Sequence, residues 1–485
     1  MRMSGVTPGG PPSPRKGTSG GGGAAFKIKK TYSVIVFIVL ASLDNVAIQL
    51  VPPLYDPIAR AFEVPEGVVA VVTAVTYLVT AVAAVGWAFA GDRGNRRPLL
   101  VIGTILWAVG TAATGWAPGL TVFVIAQVVG AIGLGAVGSV GFSVVSDLIS
   151  PRRRGLVMSL WGLSQGIGTL AGTLAGGLLG AADWRRPFQV MAVTGTVAAV
   201  AYLFTADIRR GESEPQLAGV EYDHRISREQ LPEILGRRTN VWLVLQGLSA
   251  QVTFGSFVWL PRLFQARAEE QGYDSATAVA IGAVFATLFQ LGGVLSIIGG
   301  LVGDRLQRRT PRGRALVASA GILGGVPFFV GLFFLPMRVH IDEGSVPLGV
   351  LKSVYQEPTV AFALLAALSG LALTSANSPN WFALIADVNP PEHRGTVYSL
   401  GNLVNGVGRA AGNGLVGLVF SALARSLPPP ANYAVGLAAF QVFFVPTGIM
   451  YYMASRTSPK DIDEVREVLA ARAAEAGVRP SSSPP

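Results

Sequence analysis

Apolar residues run in stretches of about twenty or more, parted by short polar or charged intervals, along nearly the whole chain. The stretches lie at 32–54, 66–90, 98–117, 120–148, 155–180 and 186–206, then at 240–264, 275–302, 314–336, 358–387, 394–424 and 432–454. A helix rises about 1.5 Å per residue, so each is long enough to cross a hydrocarbon layer of about 30 Å. The pattern predicts an all-α membrane protein of twelve transmembrane helices, in halves of six at 31–206 and 240–456, with a linker at 207–239 between them. In the linker, Ser227 has the character of a helix cap, and Ile234 and Leu235 would lie on one apolar face. Residues 1–30, rich in Gly, Pro and Ser with Arg15, Lys16, Lys27, Lys29 and Lys30, are expected to form a disordered tail with a basic end at the membrane. Residues 457–485 hold an amphipathic stretch, Pro459 to Ala474, with Ile462, Val465 and Leu469 on one side. It is expected to lie along the membrane surface before a disordered end.

The two halves share more than a helix count. Asp147 to Gly172 (DLISPRRRGLVMSLWGLSQGIGTLAG) superposes without gaps on Asp387 to Gly412 (DVNPPEHRGTVYSLGNLVNGVGRAAG), with twelve identities. A second echo carries GDRGNRRPLL, from Gly91, into GDRLQRRTPR, from Gly303. Duplication inside a hydrophobic chain implies a pseudo-symmetric transporter or channel core.

Composition narrows this further. Charged residues are only 14% of the chain, and the mean hydropathy is +0.49. The net charge of +10 sits in short clusters between apolar runs, which fits membrane topology rather than a nucleic-acid surface. With twelve spans both termini share one side. That side holds 29 of the 38 Lys and Arg residues, so the positive-inside rule places the termini in the cytoplasm. There is no cysteine, and His224, His340 and His393 form no metal motif. Walker loop, catalytic triad and metal cluster are all missing from the sequence, so no enzymatic role or bound cofactor is expected.

Two ionisable residues interrupt the apolar runs near mid-depth, and each needs a reason to be there. Asp44 is about twelve residues into the first run, roughly 18 Å along a helix, and Arg409 is about fifteen residues beyond Arg394. Alternating access of Asp44 to Arg409 would load and release a proton. Glycines at Gly166, Gly168, Gly172, Gly176 and Gly177, and at Gly406, Gly408, Gly412, Gly414 and Gly417, let the fifth and eleventh helices approach their neighbours closely.

Two six-helix halves, each with Gly-Asp-Arg between its second and third helix, resemble the major facilitator superfamily. Within it, GDRGNRRPLLVIGTILWAVGTAATG, DLISPRRRGLVMSLWGLSQGIGTLAG, Trp184-Arg185 and Pro187-Phe188 resemble the Spinster family, over roughly residues 32 to 470. The resemblance implies alternating access and an amphipathic substrate such as a lysophospholipid. A multidrug or small organic-solute exporter and a non-transporting ligand sensor are the other expectations. It also implies a monomer in the plasma (inner) membrane. It gives Asp44 a role in proton coupling and substrate binding. It makes Asp92, Arg93, Arg96, Asp147, Arg154, Asp304, Arg305, Arg308, Asp387 and Arg394 a cytoplasmic latch between the halves, and the glycine-rich helices the surface that rocks. The chain departs from the family where Spinster proteins carry a fourth-helix Arg, a Glu seven residues on, and an Arg after the first-helix Asp. Here these are Gln127, Leu134 and Asn45. The alternatives are a facilitator, or a coupling partner moved to Arg409. The expected cavity is lined by Gln246, Gln251, Phe254, Trp259, Phe285, Gln290, Asn377, Asn380, Trp381 and Asn402, amides and aromatics suited to a polar head and an apolar tail.

Overall fold

The computed structural model describes residues 20–93, 95–141, 151–205, 232, 236–341 and 344–475. Twelve long helical segments follow one another. In the first half they are α1 (Gly20–Gln49), α2 (Glu66–Arg93), α3 (Arg96–Gly115), α4 (Leu120–Ala136), α5 (Pro151–Gly180) and α6 (Arg186–Leu203). In the second half α7 (Arg238–Ser256) resumes as Leu260–Glu270, α8 (Ser275–Gln290) as Ser296–Gln307, and α9 is Gly313–Phe334. There α10 (Pro358–Ser375) resumes as Asn377–Asp387, α11 is Pro391–Leu423, and α12 (Ala431–Phe440) resumes as Phe444–Glu475. Nine of the segments are, among the described residues, long and apolar enough to cross a membrane. α5, α6 and α11 fall outside that set, and α11 carries Asn402, Asn405, Arg409 and Asn413. A helix with such residues belongs in the interior of a bundle.

The duplication read in the sequence reappears as packing. In the first half α1 packs on α5, and α3 on α4 and α6; in the second, α7 packs on α11, and α9 on α10 and α12. Between the halves α2 packs on α11 and α8 on α5, which is the same contact repeated by pseudo-symmetry. Outer faces are apolar and open. On α6, Val190, Val193, Val197 and Val200 form a stripe three to four residues apart, each half exposed or more. In water such a stripe would be an aggregation liability; on a multi-pass membrane protein it faces lipid.

Two expectations about the ends change. Helix α1 starts at Gly20, so part of the stretch assigned to a disordered tail is helical, and the rest lies outside the described residues. The linker expectations at Ser227, Ile234 and Leu235 lie outside them as well. The amphipathic stretch from Pro459 does not form a separate surface helix but prolongs α12. Its Ile462 and Val465 are buried, Ile462 in a cluster with Leu243, Trp381 and Val388 of the same half. Asp461 Oδ2 accepts from the Thr239 amide at the start of α7 (3.1 Å), and the Thr239 and Thr457 hydroxyls share a 2.7 Å bond. At Ile462 and Val465 the apolar face is covered by protein, not by lipid, and the side chain of Leu469 lies outside the described ones.

Asp274 caps α8 in the loop after α7. Its carboxylate accepts from the amides of Ala276 and Thr277 and from the Thr277 hydroxyl. These bonds, the hydroxyl first, hold its pKa below the usual carboxylate value. Because the folded pKa is depressed, the cap's contribution is present above about pH 4 and fades as pH falls through the lower folded value. Asp274→Ala is expected to destabilise the protein by about 1 kcal/mol at neutral pH, measured by thermal unfolding in detergent.

Candidate functional site

The two halves are pinned together at the end opposite the chain termini. Residues Pro52–Leu54 turn the chain out of α1 into a short helix, Tyr55–Ala61, where Asp56 and Arg60 are four apart on one face. The outer continuation of α7 brings Arg262, Gln265 and Glu269 against them. Arg262 Nε bonds Glu66 Oε1 at 2.9 Å, its Nη1 bonds Glu269 Oε2 at 3.0 Å, and its Nη2 lies 3.6 Å from Asp56 Oδ1. Gln265 Nε2 donates to Asp56 Oδ2 and to Glu269 Oε1, at 2.9 and 3.0 Å. Tyr433 closes the cluster, its hydroxyl donating to Glu66 Oε2 (2.8 Å) and its ring lying 5.1 Å from the Arg262 guanidinium. The Arg262 and Asp56 side chains are each only 5% exposed, so this cluster is a buried one and its geometry matters energetically.

A second tier lies below it. The Tyr55 hydroxyl donates to Asn413 Oδ1 at 3.0 Å, Asn413 Nδ2 donates to the Ala70 carbonyl, and Trp259 Nε1 donates to the Asn413 carbonyl. Small residues permit the approach. A Cβ on Gly417 would lie 2.9 Å from Ala70 Cβ, and one on Gly177 would lie 1.9 Å from Ala283 Cβ. The α2–α11 contact continues inward as far as Ala81 against Gly406, beyond which Asn402 on α11 is exposed.

At mid-depth the structure separates the two expected charges. Arg409 is exposed between the halves, its Nε donating to Gln251 Oε1 at 3.2 Å, within electrostatic reach of Tyr77 on α2. Asp44 is half-buried on α1 facing Gly138, and its Oδ1 is enclosed without a hydrogen-bond partner. No ion pair joins the two among the described residues, so the expected Asp44–Arg409 exchange is not seen in this conformation. Gln127 reaches Thr114 Oγ1 at 3.4 Å inside the first half. There, with Leu134, Tyr77 and Thr111, it borders a cavity of about 30 Å³, room for a water molecule. Its lining is uncharged and mostly apolar, with the Thr and Gln side chains as its polar part.

Several expected cavity residues do other work. Trp259 is fully buried among Tyr55, Phe420 and Tyr433 beneath the seal. Gln246 and Trp381 donate to the Leu243 carbonyl, Asn380 to the carbonyls of Gly299 and Ala376, and Asn377 accepts from Tyr451. Phe285 packs on Phe264, and Phe254 on Phe257 and Phe444. Gln290 hydrogen-bonds across to the other half, donating to Thr173 Oγ1 at 3.1 Å. Gln251 and Asn402 stay beside the open part of the cleft.

At the terminal end the partner of Asp304 is neither Arg305 nor Arg308, which are both exposed, but Arg314 at the start of α9. Arg314 Nη2 bonds Asp304 at 2.9 Å, while its Nη1 bonds Asp387. This brace joins α8, α9 and α10 inside one half rather than latching the halves together. Arg96 is buried at the matching place, the start of α3. Asp147 and the side chains of Asp92, Arg93, Arg154 and Arg394 lie outside the described residues.

Pseudo-symmetric six-helix halves, sealed at one end around charges held at mid-depth, define a membrane transporter of the alternating-access kind. The match of residues 35–413 to the Major Facilitator Superfamily makes it specific: the chain belongs to that superfamily, and within it is Spinster-like. It is similar to the sphingosine-1-phosphate transporter SPNS2 of Mus musculus, 23% identical over 271 residues, covering 54% of this chain and 49% of that protein. The chain spans about half the length of the first curated relatives it matches. It is also similar to protein spinster homolog 1 of Mus musculus, 24% identical over 431 residues, covering 83% of this chain and 76% of the relative. A multidrug resistance protein B homolog of Mycobacterium tuberculosis is 28% identical over 227 residues, 42% of this chain and 41% of it. In fold the chain resembles the crystal structure of a bacterial homolog of the human lysosomal transporter Spinster, in an inward-facing and unoccupied conformation. The TM-score is 0.73 at 21% identity, covering 90% of this chain and 98% of the other.

Proposed function

We propose that this protein is a secondary transporter that carries an amphipathic lipid, such as a lysophospholipid, across the plasma membrane by alternating access. Both termini lie in the cytoplasm, where the positive-inside rule puts the Lys- and Arg-rich side. The observation that carries this reading is the one-ended seal. Ionic and glycine contacts close the cleft at the end away from the termini, while Arg409 is exposed between them and Asn402 stays exposed further in. Resemblance to Spinster proteins supplies the substrate class, and the cleft's amides, Gln251 and Asn402, with its cation, Arg409, suit a polar head. The similarity to a multidrug resistance homolog supports a second reading, an exporter of drugs or small organic solutes.

Asp44 is assigned the proton. It is a carboxyl at mid-depth with an enclosed, unpartnered oxygen and no cation to hold its charge among the described residues. Lysophospholipid flux into proteoliposomes, with and without an imposed pH gradient, tests this. Flux is expected to rise at least tenfold with the gradient, and Asp44→Asn to abolish that rise. Flux indifferent to both gradient and substitution would make the protein a facilitator. Flux of drugs but not of lysolipids would favour the second reading.

A further inference from the structure

We propose that the cleft selects amphiphiles whose head group is an oxyanion, phosphate or carboxylate, and that Arg409 holds it, with Gln251 shaping the site. The inference rests on the transporter reading and narrows its substrate. A guanidinium stays charged at any accessible pH, and at the middle of a membrane helix it needs compensation. The other deep arginines have it: Arg262 meets three carboxylates, Arg314 two, and Arg267 the carbonyls of Phe333 and Leu335. Arg409 has one neutral acceptor, Gln251, which takes its Nε and leaves the Nη fork without a protein partner among the described residues. No carboxylate lies within 4.0 Å of it there.

The residue faces the cleft and not lipid. On the same face of α11, Gly406 lies against Ala81 of the other half and Asn413 bonds the Ala70 carbonyl. Arg409 therefore lies between these two contacts, on the side of α11 turned toward the other half. Tyr77 of α2, within electrostatic reach of the guanidinium, borders the first-half cavity with its hydroxyl enclosed. The planar fork itself matches the oxygens of a phosphate or carboxylate. It repels a quaternary ammonium head. Gln251, by taking Nε, fixes the plane in which the fork is presented.

Equilibrium binding to the purified full chain in detergent tests this, using four probes of comparable tail length. They are lysophosphatidylglycerol, a fatty acid carboxylate, lysophosphatidylcholine and an alkyltrimethylammonium. Both anions are expected to bind at least tenfold more tightly than the cation, and their ratio says which oxyanion the fork prefers. Arg409→Gln is expected to remove that preference, and Arg409→Lys to restore it in part, since charge returns without the fork. Equal binding of cation and anions by the native chain would overturn the proposal, as would an Arg409→Gln chain that keeps the preference. The native series decides even if the variants misfold. Selective binding without flux would sink the transporter reading alone, whereas flux of cations equal to that of anions would sink the head-group assignment alone.

Discussion

Arg262→Ala is expected to part the sealed end of the transporter while leaving each half folded. In the native protein this side chain answers Glu66, Glu269 and Asp56 at 2.9, 3.0 and 3.6 Å. Without it, three carboxylates share a largely dry interface with only Arg60, whose side chain is 58% exposed. Removing one partner from a buried ionic cluster costs about 3–5 kcal/mol, because the remaining charges stay desolvated. The halves have their own apolar clusters, so the strain is relieved by separating them and wetting the carboxylates. A shift of about 3 kcal/mol changes the closed-to-open ratio by roughly two orders of magnitude, enough to invert a population. Native cysteines are absent, so labels at Ala61→Cys and Ala424→Cys, both exposed at that end, report the distance by electron paramagnetic resonance without background. The single substitution should lengthen it. Neutralising the acids as well, with Glu66→Gln, Asp56→Asn and Glu269→Gln, should shorten it again. An Arg262→Ala chain with the native distance would show that the cluster does not hold the seal.

None of those gating charges stood out in the sequence, and the reason is physical. Asp56, Glu66, Arg262 and Glu269 sit at helix ends, where a charge is ordinarily solvated and needs no partner. Only the meeting of two halves some two hundred residues apart buries them. Legible were the features that act within one helix or repeat themselves: the apolar runs, the duplication, and the cost of Asp44 and Arg409 at mid-depth. The terminal brace was half legible. The repeat marks Asp304 and Asp387, but the insertion around Pro311 moves the working cation to Arg314, outside the repeated motif. The amphipathic end of α12 shows a related limit, for an apolar stripe says that something covers it without saying what. Ile462 belongs to a buried cluster shared with α7, α9, α10 and α11 of its own half.

The glycines pose the same ambiguity, and substitution should resolve it. Gly412 and Gly177 look alike in sequence, yet a Cβ on Gly412 would lie 2.0 Å from the Val252 carbonyl oxygen on α7, inside one half. A Cβ on Gly177 would instead lie 1.9 Å from Ala283 Cβ, across the halves. Both distances are far inside van der Waals contact, and neither neighbour is the free end of a flexible side chain. Gly412→Val must force α7 and α11 apart within a packed unit, so it is expected to cost at least the 1–3 kcal/mol typical of overpacking and to lower the unfolding temperature. Gly177→Val has another way out. The halves can stay apart, so the unfolding temperature of each half should hold while the label distance lengthens and lysolipid flux falls at least tenfold. Combined with Arg262→Ala, the effect of Gly177→Val on that distance should be much less than additive, since both act on one closure. Combined with Gly412→Val, the two losses should add. If Gly177→Val unfolds the protein as Gly412→Val does, the α5–α8 contact is ordinary packing, and the rocking interface is left with α2 and α11 alone.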